Sequence, residues 1–268
     1  MSQQVLSLFE LNRFVKQALH NHLPDTYWVQ AELSDVRSNS SGHCYLEFVQ
    51  KDTGGNHLIA KARGTIWSNI FKMLKPYFEQ ETGQQFASGI KVLVQVSVEF
   101  HELYGYSLTV LDIDPTYTLG DMARRRREII LRLEEEGVLT MNKELDMPLA
   151  PQRIAVISSA TAAGYGDFCD QLRNNPYGLS FQTKLFPAVM QGERVEESII
   201  SALESVYQEL DEWDVVVLIR GGGATSDLSG FDTYNLAANC AQFPLPIITG
   251  IGHERDETVL DIVAHTRV

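Results

Sequence analysis

The fold of the second half of this chain is decided by residues 214–223, which read DVVVLIRGGG. The run from Val215 to Ile219 is apolar at every position, as expected for a strand buried on both faces of a parallel sheet. An arginine and three glycines follow it directly. Residues 153–158 (RIAVIS) and 246–251 (PIITGI) have the same character, and residues 180–186 predict a weaker fourth strand.

Helical patterns separate these predicted strands. They cover residues 165–174, 192–210, 231–241 and 256–265. Strands that alternate with helices predict an α/β domain with a mostly parallel, doubly wound sheet, which we place at residues 151–268. In such a sheet ligands bind beyond the carboxyl ends of the strands, so the segments that follow the strands are the ones to inspect.

Three polar segments follow the predicted strands, at residues 158–167, 220–227 and 252–256. Small and hydroxyl residues at a strand-to-helix turn let backbone amides approach an anion. The candidate phosphate-binding residues are Ser159, Thr161, Gly221, Gly222 and Gly223. A flexible loop would also explain the glycines, and neither GxGxxG nor GxxxxGK[ST] occurs, which argues against dinucleotide and nucleoside triphosphate sites.

Arg220 and His253 are the strongest candidates for chemistry. Arginine at the end of an apolar strand can bind two phosphate oxygens and stabilise the charge of a pentacovalent transition state. The structural alternative for Arg220 is an ion pair with Asp227 or Asp256. His253 titrates near neutral pH and could act as a general acid or base, although a single histidine can also be purely structural.

Asp167 lies near the start of the first predicted crossover helix and Asp256 lies beside His253. Asp167 could bind a metal ion, orient His253, or favour the helix terminus electrostatically. Together with His253 and Glu254, these carboxylates could hold a magnesium-like ion, while Arg220 and His253 could also support hydrolysis without metal. The sequence leaves the cofactor open between Mg²⁺ and none.

Residues 25–115 have a different pattern, with five short alternating strands and a helical piece after the third, near residues 66–77. This order predicts an OB-fold, an all-β barrel that binds single strands through cationic and aromatic surfaces. Amphipathic helices are predicted at residues 6–20 and 121–137, and we interpret the run Arg124 to Arg127 near the start of the second as a solvated helix face. We expect an amino-terminal domain at 1–115, a connecting helix and linker at 116–150, and then the α/β domain.

The candidate nucleic-acid-binding residues of the barrel are aromatic or cationic side chains on or beside its strands: Trp28, Arg37, Tyr45, Lys61 and Arg63. Core packing is the alternative for each aromatic residue, since alternate strand residues must face inward. Simple solvation is the alternative for each cation.

Composition restricts the class of protein. The net charge is −13, but residues 1–120 carry 9 Lys and Arg against 12 Asp and Glu, whereas residues 151–268 carry 7 against 16. A nearly balanced binding domain and an acidic hydrolytic domain fit this division. Neither a signal peptide nor a long apolar span is seen, and three separated cysteines do not suggest disulfides, so we expect a cytoplasmic location without membrane contact.

The motifs together resemble one family, the large subunit of exonuclease VII. The resemblance rests on Thr161 to Asp167, Arg220 to Gly223 and Gly252-His253-Glu254-x-Asp256, with residues 28–33 and 40–45 similar to that family's OB segment. It implies hydrolysis of single-stranded DNA to short oligonucleotides from either end. It also implies several copies of a small partner subunit and a catalytic set of Asp167, Arg220, His253 and Asp256.

The chain departs from the family pattern in and just after the polar segment at residues 220–227, which follows the third predicted strand and is called the third loop. The segment at residues 252–256, after the fourth predicted strand, is called the fourth loop. Ala224 replaces a serine, Ser226 replaces a glutamate, and Phe231-Asp232-Thr233-Tyr234 replaces a Phe-Asn-Asp-Glu stretch. The sequence also lacks the long helical region that holds the small subunits in that family, so we expect a truncated carboxyl end. Two other functions stay open: a single-strand-binding protein with a degenerate α/β domain, and an enzyme whose glycine loop holds a nucleotide or sugar phosphate.

Overall fold

A computed structural model describes residues 5–52, 57–192, 194–221, 228–251 and 257–268. Its contacts divide the chain into two compact units, Met1–Met122 and Ala123–Val268. None of the helices in the described ranges is long and apolar enough to cross a membrane.

The first unit is a closed barrel of five strands in the order β1-β2-β3-β5-β4. This confirms the predicted OB-fold barrel. Its elements are α1 (Leu8–His22), β1 (Thr26–Ser38), β2 (Cys44–Lys51), β3 (Leu58–Ile66), α2 (Ser68–Thr82), β4 (Lys91–His101) and β5 (Gly105–Asp114).

Strand β1 belongs to two pairings, which is how the barrel curves. Its first half, from Thr26 to Glu32, pairs with β4, and its second half, from Glu32 to Ser38, pairs with β2 with a register shift between Leu33 and Asp35. Such a bulge bends a strand and increases its twist. Short parallel pairing of Gly64 with Leu108 and Thr65 with Thr109 joins β3 to β5 and closes the barrel.

Alternate strand residues fill the barrel, as a period of two requires. Phe48 is 3% exposed, and its ring lies where a Cβ on Gly64 would be only 2.3 Å away. Glycine at position 64 is therefore needed for this ring to pack. Helix α2 adds Leu74 and Phe78 to the core and ends at Gly83, whose φ of +66° suits the left-handed cap of a helix.

The second unit is built on a parallel five-stranded sheet in the order β10-β9-β8-β6-β7. Its strands are β6 (Arg153–Ser158), β7 (Gln182–Pro187), β8 (Val215–Ile219), β9 (Ile247–Gly250) and β10 (Thr266–Arg267). The helices are α4 (Ala163–Arg173), α5 (Val195–Tyr207), α6 (Tyr234–Ala241) and α7 (Val259–Val263), and α3 (Pro115–Glu135) precedes the sheet.

Both faces of this sheet are covered, which confirms the doubly wound α/β fold. Ala155 and Leu218 pack with residues of α5, α6 and α7 on one face. On the other face, Val156 and Val217 pack with Phe168 of α4 and its neighbours. Because β6 pairs with β7 on one side and β8 on the other, the strand order reverses between β6 and β8, where doubly wound folds bind ligands.

Two details differ from the sequence expectation. The helix predicted at residues 256–265 is confined to Val259–Val263, and a short strand, β10, follows it and pairs with β9. In the segment that we took for a linker, Asn142 is completely buried. Its side chain donates to the carbonyls of Phe243 and Leu245 and accepts from the backbone amides of Ile247 and His265.

Candidate functional site

The carboxyl ends of β6, β8 and β9 are held in line by two hydrogen bonds. Buried Ser158 at the end of β6 donates from its hydroxyl to the Ile219 carbonyl of β8 over 2.7 Å. The amide of Arg220 donates to the Gly250 carbonyl of β9 over 3.0 Å. These contacts hold together, at one edge of the sheet, the ends of the three strands that the predicted polar segments follow.

The start of α4 and the end of β8 approach each other closely at two glycines. A Cβ on Gly164 would lie 3.1 Å from the Arg220 carbonyl oxygen, and a Cβ on Gly221 would lie 2.8 Å from the Ala162 Cβ. Packing against α4 thus accounts for glycine at position 221, independently of the phosphate role that the sequence suggested for it. The same contacts place Arg220 against the first turn of α4.

The start of α4 offers hydrogen-bonding groups to an anion. The hydroxyls of Ser159 and Thr161 lie 3.1 Å apart, and the helix begins after Ala162, whose side chain has no oxygen with which to cap it. Amides of the first helical turn have no intrahelical partner and favour negative charge. Ser159 and Thr161 therefore lie between the end of β6 and the start of α4, and their phosphate-binding role stays a prediction.

Asp167 is exposed on α4, three residues after Gly164. Asp167 therefore lies about one turn along α4 from Gly164, whose Cβ position meets the Arg220 carbonyl. Arg220 is only 8% exposed. The structure thus brings the Asp167 and Arg220 segments together.

The other candidate residues of this edge, Gly222, Gly223, His253 and Asp256, lie outside the described residues. So does Asp227, the suggested ion-pair partner of Arg220. Within the described ranges, no group of three or more His, Cys, Asp and Glu side chains could hold a metal ion.

A cluster of hydrogen bonds around Asp232, which we did not predict, holds the segments that follow the third and fourth loops. Arg126 on α3 donates from Nε and Nη2 to Asp232 Oδ2, over 3.2 and 2.6 Å. Asp232 Oδ1 accepts the amide of Val259, the first residue of α7, over 2.7 Å. Asp232 therefore ties the segment after the third loop to the segment after the fourth.

Burial raises the pKa of Asp232, although the Arg126 guanidinium and the Val259 amide act in the opposite direction. Desolvation outweighing an ion pair is common for carboxylates taken out of water. The sequence did contain one signal for this cluster: the run Arg124 to Arg127, which we took for a solvated helix face. Arg126, within that run, pairs with a residue that is 106 positions away in the sequence.

Just after the fourth loop, a buried capping box holds the start of α7. The backbone amide and hydroxyl of Thr258 donate to Asp261 Oδ2, and the Asp261 amide donates back to the Thr258 hydroxyl. Thr249 of β9 donates to Asp261 Oδ1 over 2.6 Å. The exit of the fourth loop is therefore fixed both to the sheet and to Asp232.

On the barrel, four of the five candidate residues lie on the outer face of β1, β2 and β3. Arg37 is directly opposite Tyr45, and Arg63 is opposite Glu47 in the next strand pair. Tyr45 is 47% exposed, which rules out the core-packing alternative for it. Trp28 is 49% exposed, but it pairs with Gln95 near the other end of β1, so it stands apart from this group.

Carboxylates accompany two of these cations. Arg37 Nε is 2.8 Å from Asp35, and Lys61 Nζ is 2.6 Å from Glu47. The Lys61 ammonium, followed by the Ser34 hydroxyl, lowers the pKa of Glu47. A phosphate that binds Lys61 must therefore compete with an ionised carboxylate, although exposed ion pairs are weak enough to exchange.

Comparison with known proteins agrees with both units. Residues 6–114 match the family model of an OB-fold nucleic acid binding domain, and residues 138–268 match that of exonuclease VII, large subunit. A protein of Deinococcus radiodurans named exodeoxyribonuclease 7 large subunit is 36% identical over 99% of this chain and 65% of its own length.

Two further relatives carry the same name. The one from a Nostoc strain is 31% identical over 97% of this chain and 59% of its own length, and that from Rhodopirellula baltica is 29% identical over 99% and 56%. The chain thus spans about half to two thirds of the length of these relatives. With its two units matching in the order of the relatives and nearly all of its length aligned, this chain is similar throughout to the exonuclease VII large subunits.

Proposed function

We propose that this chain carries the binding and catalytic parts of an exonuclease that hydrolyses phosphodiester bonds in single-stranded DNA, releasing short oligonucleotides from either end. The observation that carries the proposal is the contact between the α4 start and the β8 end, at the point where the strand order reverses. The names of the relatives, which are exodeoxyribonucleases, agree with it.

In this proposal the scissile phosphate lies at the start of α4, where Ser159, Thr161 and the amides of the first turn contact its oxygens. Arg220 binds the same phosphate and stabilises the additional negative charge of the transition state. Gly221, Gly222 and Gly223 let the backbone of the third loop approach the phosphate.

His253 transfers the proton that hydrolysis requires, either from the attacking water or to the leaving oxygen. Asp167 and Asp256 orient His253 and the water. The same two carboxylates could supply oxygen ligands to Mg²⁺, although no step of this proposal requires a metal ion. Cleavage assays with and without a chelator decide whether a metal ion is needed.

The barrel binds the single strand in this proposal, through Arg37, Tyr45, Lys61 and Arg63, with Trp28 as a separate stacking residue. The relatives are named large subunits, which itself implies a second, smaller kind of chain. We infer that several copies of that small subunit complete the active assembly. The unbridged, buried Cys44 and Cys240 fit a reducing compartment such as the cytoplasm.

The test is cleavage of end-labelled single-stranded DNA by the chain together with the small subunit, with and without chelator. We expect short labelled products from both the 5′-labelled and the 3′-labelled strand and none from a duplex. Salt-dependent binding without any product would contradict the enzyme and favour the single-strand-binding protein.

The binding role of the barrel has its own test with a matched control. Lys61 and Lys184 are both about half exposed, and each lies 2.6 Å from a glutamate, but only Lys61 is on the barrel. Lys61→Gln should reduce the salt dependence of single-strand binding by about 0.7 in the log–log slope, the value for one lost phosphate contact. Lys184→Gln should leave the slope unchanged, and equal slopes for both variants would contradict a phosphate contact at Lys61.

A further inference from the structure

One end of the barrel contains an apolar cavity of about 330 Å³. Of the candidate nucleic-acid-binding residues, Lys61 lines it. The cavity lies at the end of the barrel where β3 and β5 begin. The opposite end, where β3 finishes, is filled by α2. The residues that decide the chemistry of the cavity are Tyr27, Phe48, Lys61, Val98, Tyr106 and Leu108. Its volume is at the lower end of the range of about 300–1,000 Å³ found for ligand pockets.

The cavity is open because β3 and β5 are joined only near its inner end. Among the described residues, their pairing is confined to Gly64 with Leu108 and Thr65 with Thr109. The earlier part of β3, which includes Ala60 and Ala62, also lines the cavity, and these two small side chains leave space in front of the strand.

The lining suits a flat, partly polar ring. Val98 and Leu108 make an apolar floor, and Tyr106, which is 46% exposed, and half-buried Tyr27 stand at the rim. Aromatic side chains beside apolar surface are the usual means by which proteins hold unpaired nucleobases. A phosphate group would not enter such a cavity, because desolvating its charge against apolar side chains is costly.

Lys61 connects the cavity to the outer face of the barrel. It lines the cavity, it follows directly after Ala60, and it lies two residues before Arg63 on the same strand. Residues two apart on a strand lie on the same face, so Lys61 and Arg63 can contact successive phosphates beside the opening. A strand bound there would have its bases within reach of Tyr106.

We propose that the open end of the barrel is a nucleobase pocket, in which one base of the bound single strand stacks on Tyr106 and Tyr27 while Lys61 holds the adjacent phosphate. The inference rests on the proposed function, since it assumes that the barrel binds single-stranded DNA. An apolar side chain of a protein partner would be the other kind of occupant, and the test separates the two.

The test compares the binding of two oligomers of equal length to the full chain: oligothymidylate, and the same sugar-phosphate backbone with every base removed. Tyr106→Ala should weaken oligothymidylate binding by about 5- to 150-fold, as expected for the loss of one base–aromatic stack. It should leave binding of the abasic oligomer unchanged. Tyr77→Ala is the matched control, because Tyr77 is 50% exposed on α2, away from the cavity, and should not change either affinity.

A second variant covers the case in which Tyr106→Ala does not fold. Ala62→Leu fills the cavity and keeps Tyr106, and we expect the same selective loss of oligothymidylate binding. Equal weakening of both oligomers, or no weakening by either variant, would overturn the pocket while leaving the barrel's binding role intact. Absence of any binding by the parent chain would overturn the pocket and the barrel's role in the proposed function together.

Discussion

The barrel and the edge of the parallel sheet hold their candidate residues in different ways. On the barrel, Arg63 and Tyr45 project from strands into solvent, and neighbours such as Glu47 restrain only the ends of side chains. At the sheet edge, Gly164 and Gly221 are held by contacts of a few ångströms between backbones. Substitutions on the barrel should thus change affinity with little effect on folding, whereas those at the edge should change both.

The largest effect that we expect separates chemistry from binding. His253→Ala in the full assembly should reduce turnover roughly 100- to 10,000-fold, the usual contribution of positioned acid–base catalysis. Affinity for single strands should stay close to that of the parent, because the barrel still binds the phosphates. Arg220→Ala should reduce both quantities. Cleavage by His253→Ala at the parental rate would show that another group transfers the proton.

The second prediction concerns the interior of the sheet unit. Asn142→Ala removes the four hydrogen bonds of a buried side chain and should lower the free energy of unfolding of this unit by on the order of 2–5 kcal/mol. Fluorescence of Trp213, which is 4% exposed in this unit, can follow its unfolding in denaturant, since Trp28 and Trp67 are already about half exposed.

Asn142→Asp is the control for shape. It keeps the oxygen that accepts from Ile247 and His265 but places a carboxylate against the carbonyls of Phe243 and Leu245. We expect it to be destabilising near neutral pH and less so in acid, where the carboxyl can donate. A stable Asn142→Ala variant would mean that the linker segment contributes little to this unit.

Gly164 and Gly166 of α4 provide a variant and a matched control for the close contact between this helix and Arg220. Gly164→Ala adds a Cβ 3.1 Å from the Arg220 carbonyl and should cost about 1–3 kcal/mol of stability, or displace α4 and reduce turnover. Gly166 has open space around its Cβ position, so Gly166→Ala should be neutral or stabilising by up to about 1 kcal/mol. Equal behaviour of the two variants in unfolding and cleavage assays would argue against the contact.

The smallest effect is a dependence on pH. Burial holds the pKa of Asp232 above its ordinary value, so the folded state binds this proton more tightly than the unfolded state does. The resulting stability is fully present below the ordinary Asp pKa of about 3.9 and is lost as pH rises through the raised value. The uncharged side chain of Asp232→Asn does not titrate.

The parent should therefore lose stability relative to Asp232→Asn as the pH is raised from about 4 towards 7. Denaturant unfolding of both proteins at several pH values measures the difference. If the parent instead gained on the variant with rising pH, the Arg126 pair would outweigh the desolvation of Asp232.

Local patterns were enough to determine the two kinds of fold and the edge of the sheet at which the predicted polar segments follow their strands. A continuous apolar run such as residues 215–219 can be satisfied only by burial on both faces, and alternation such as that in β2 requires a barrel or sandwich wall. Because parallel strands put their carboxyl ends at one edge, the nearness of the Asp167 and Arg220 segments also followed from the sequence.

Tertiary structure alone decided what depends on distant partners. Asn142 looked like a linker residue and Arg126 like part of a solvated arginine run, since no local pattern encodes a hydrogen bond to Phe243 or an ion pair with Asp232. Likewise, the open end of the barrel depends on how far the β3–β5 pairing extends, and the register of non-adjacent strands is set by packing of the whole barrel. Periodicity predicts which face of a helix or strand is buried. It does not predict which residues of other elements will pack against that face.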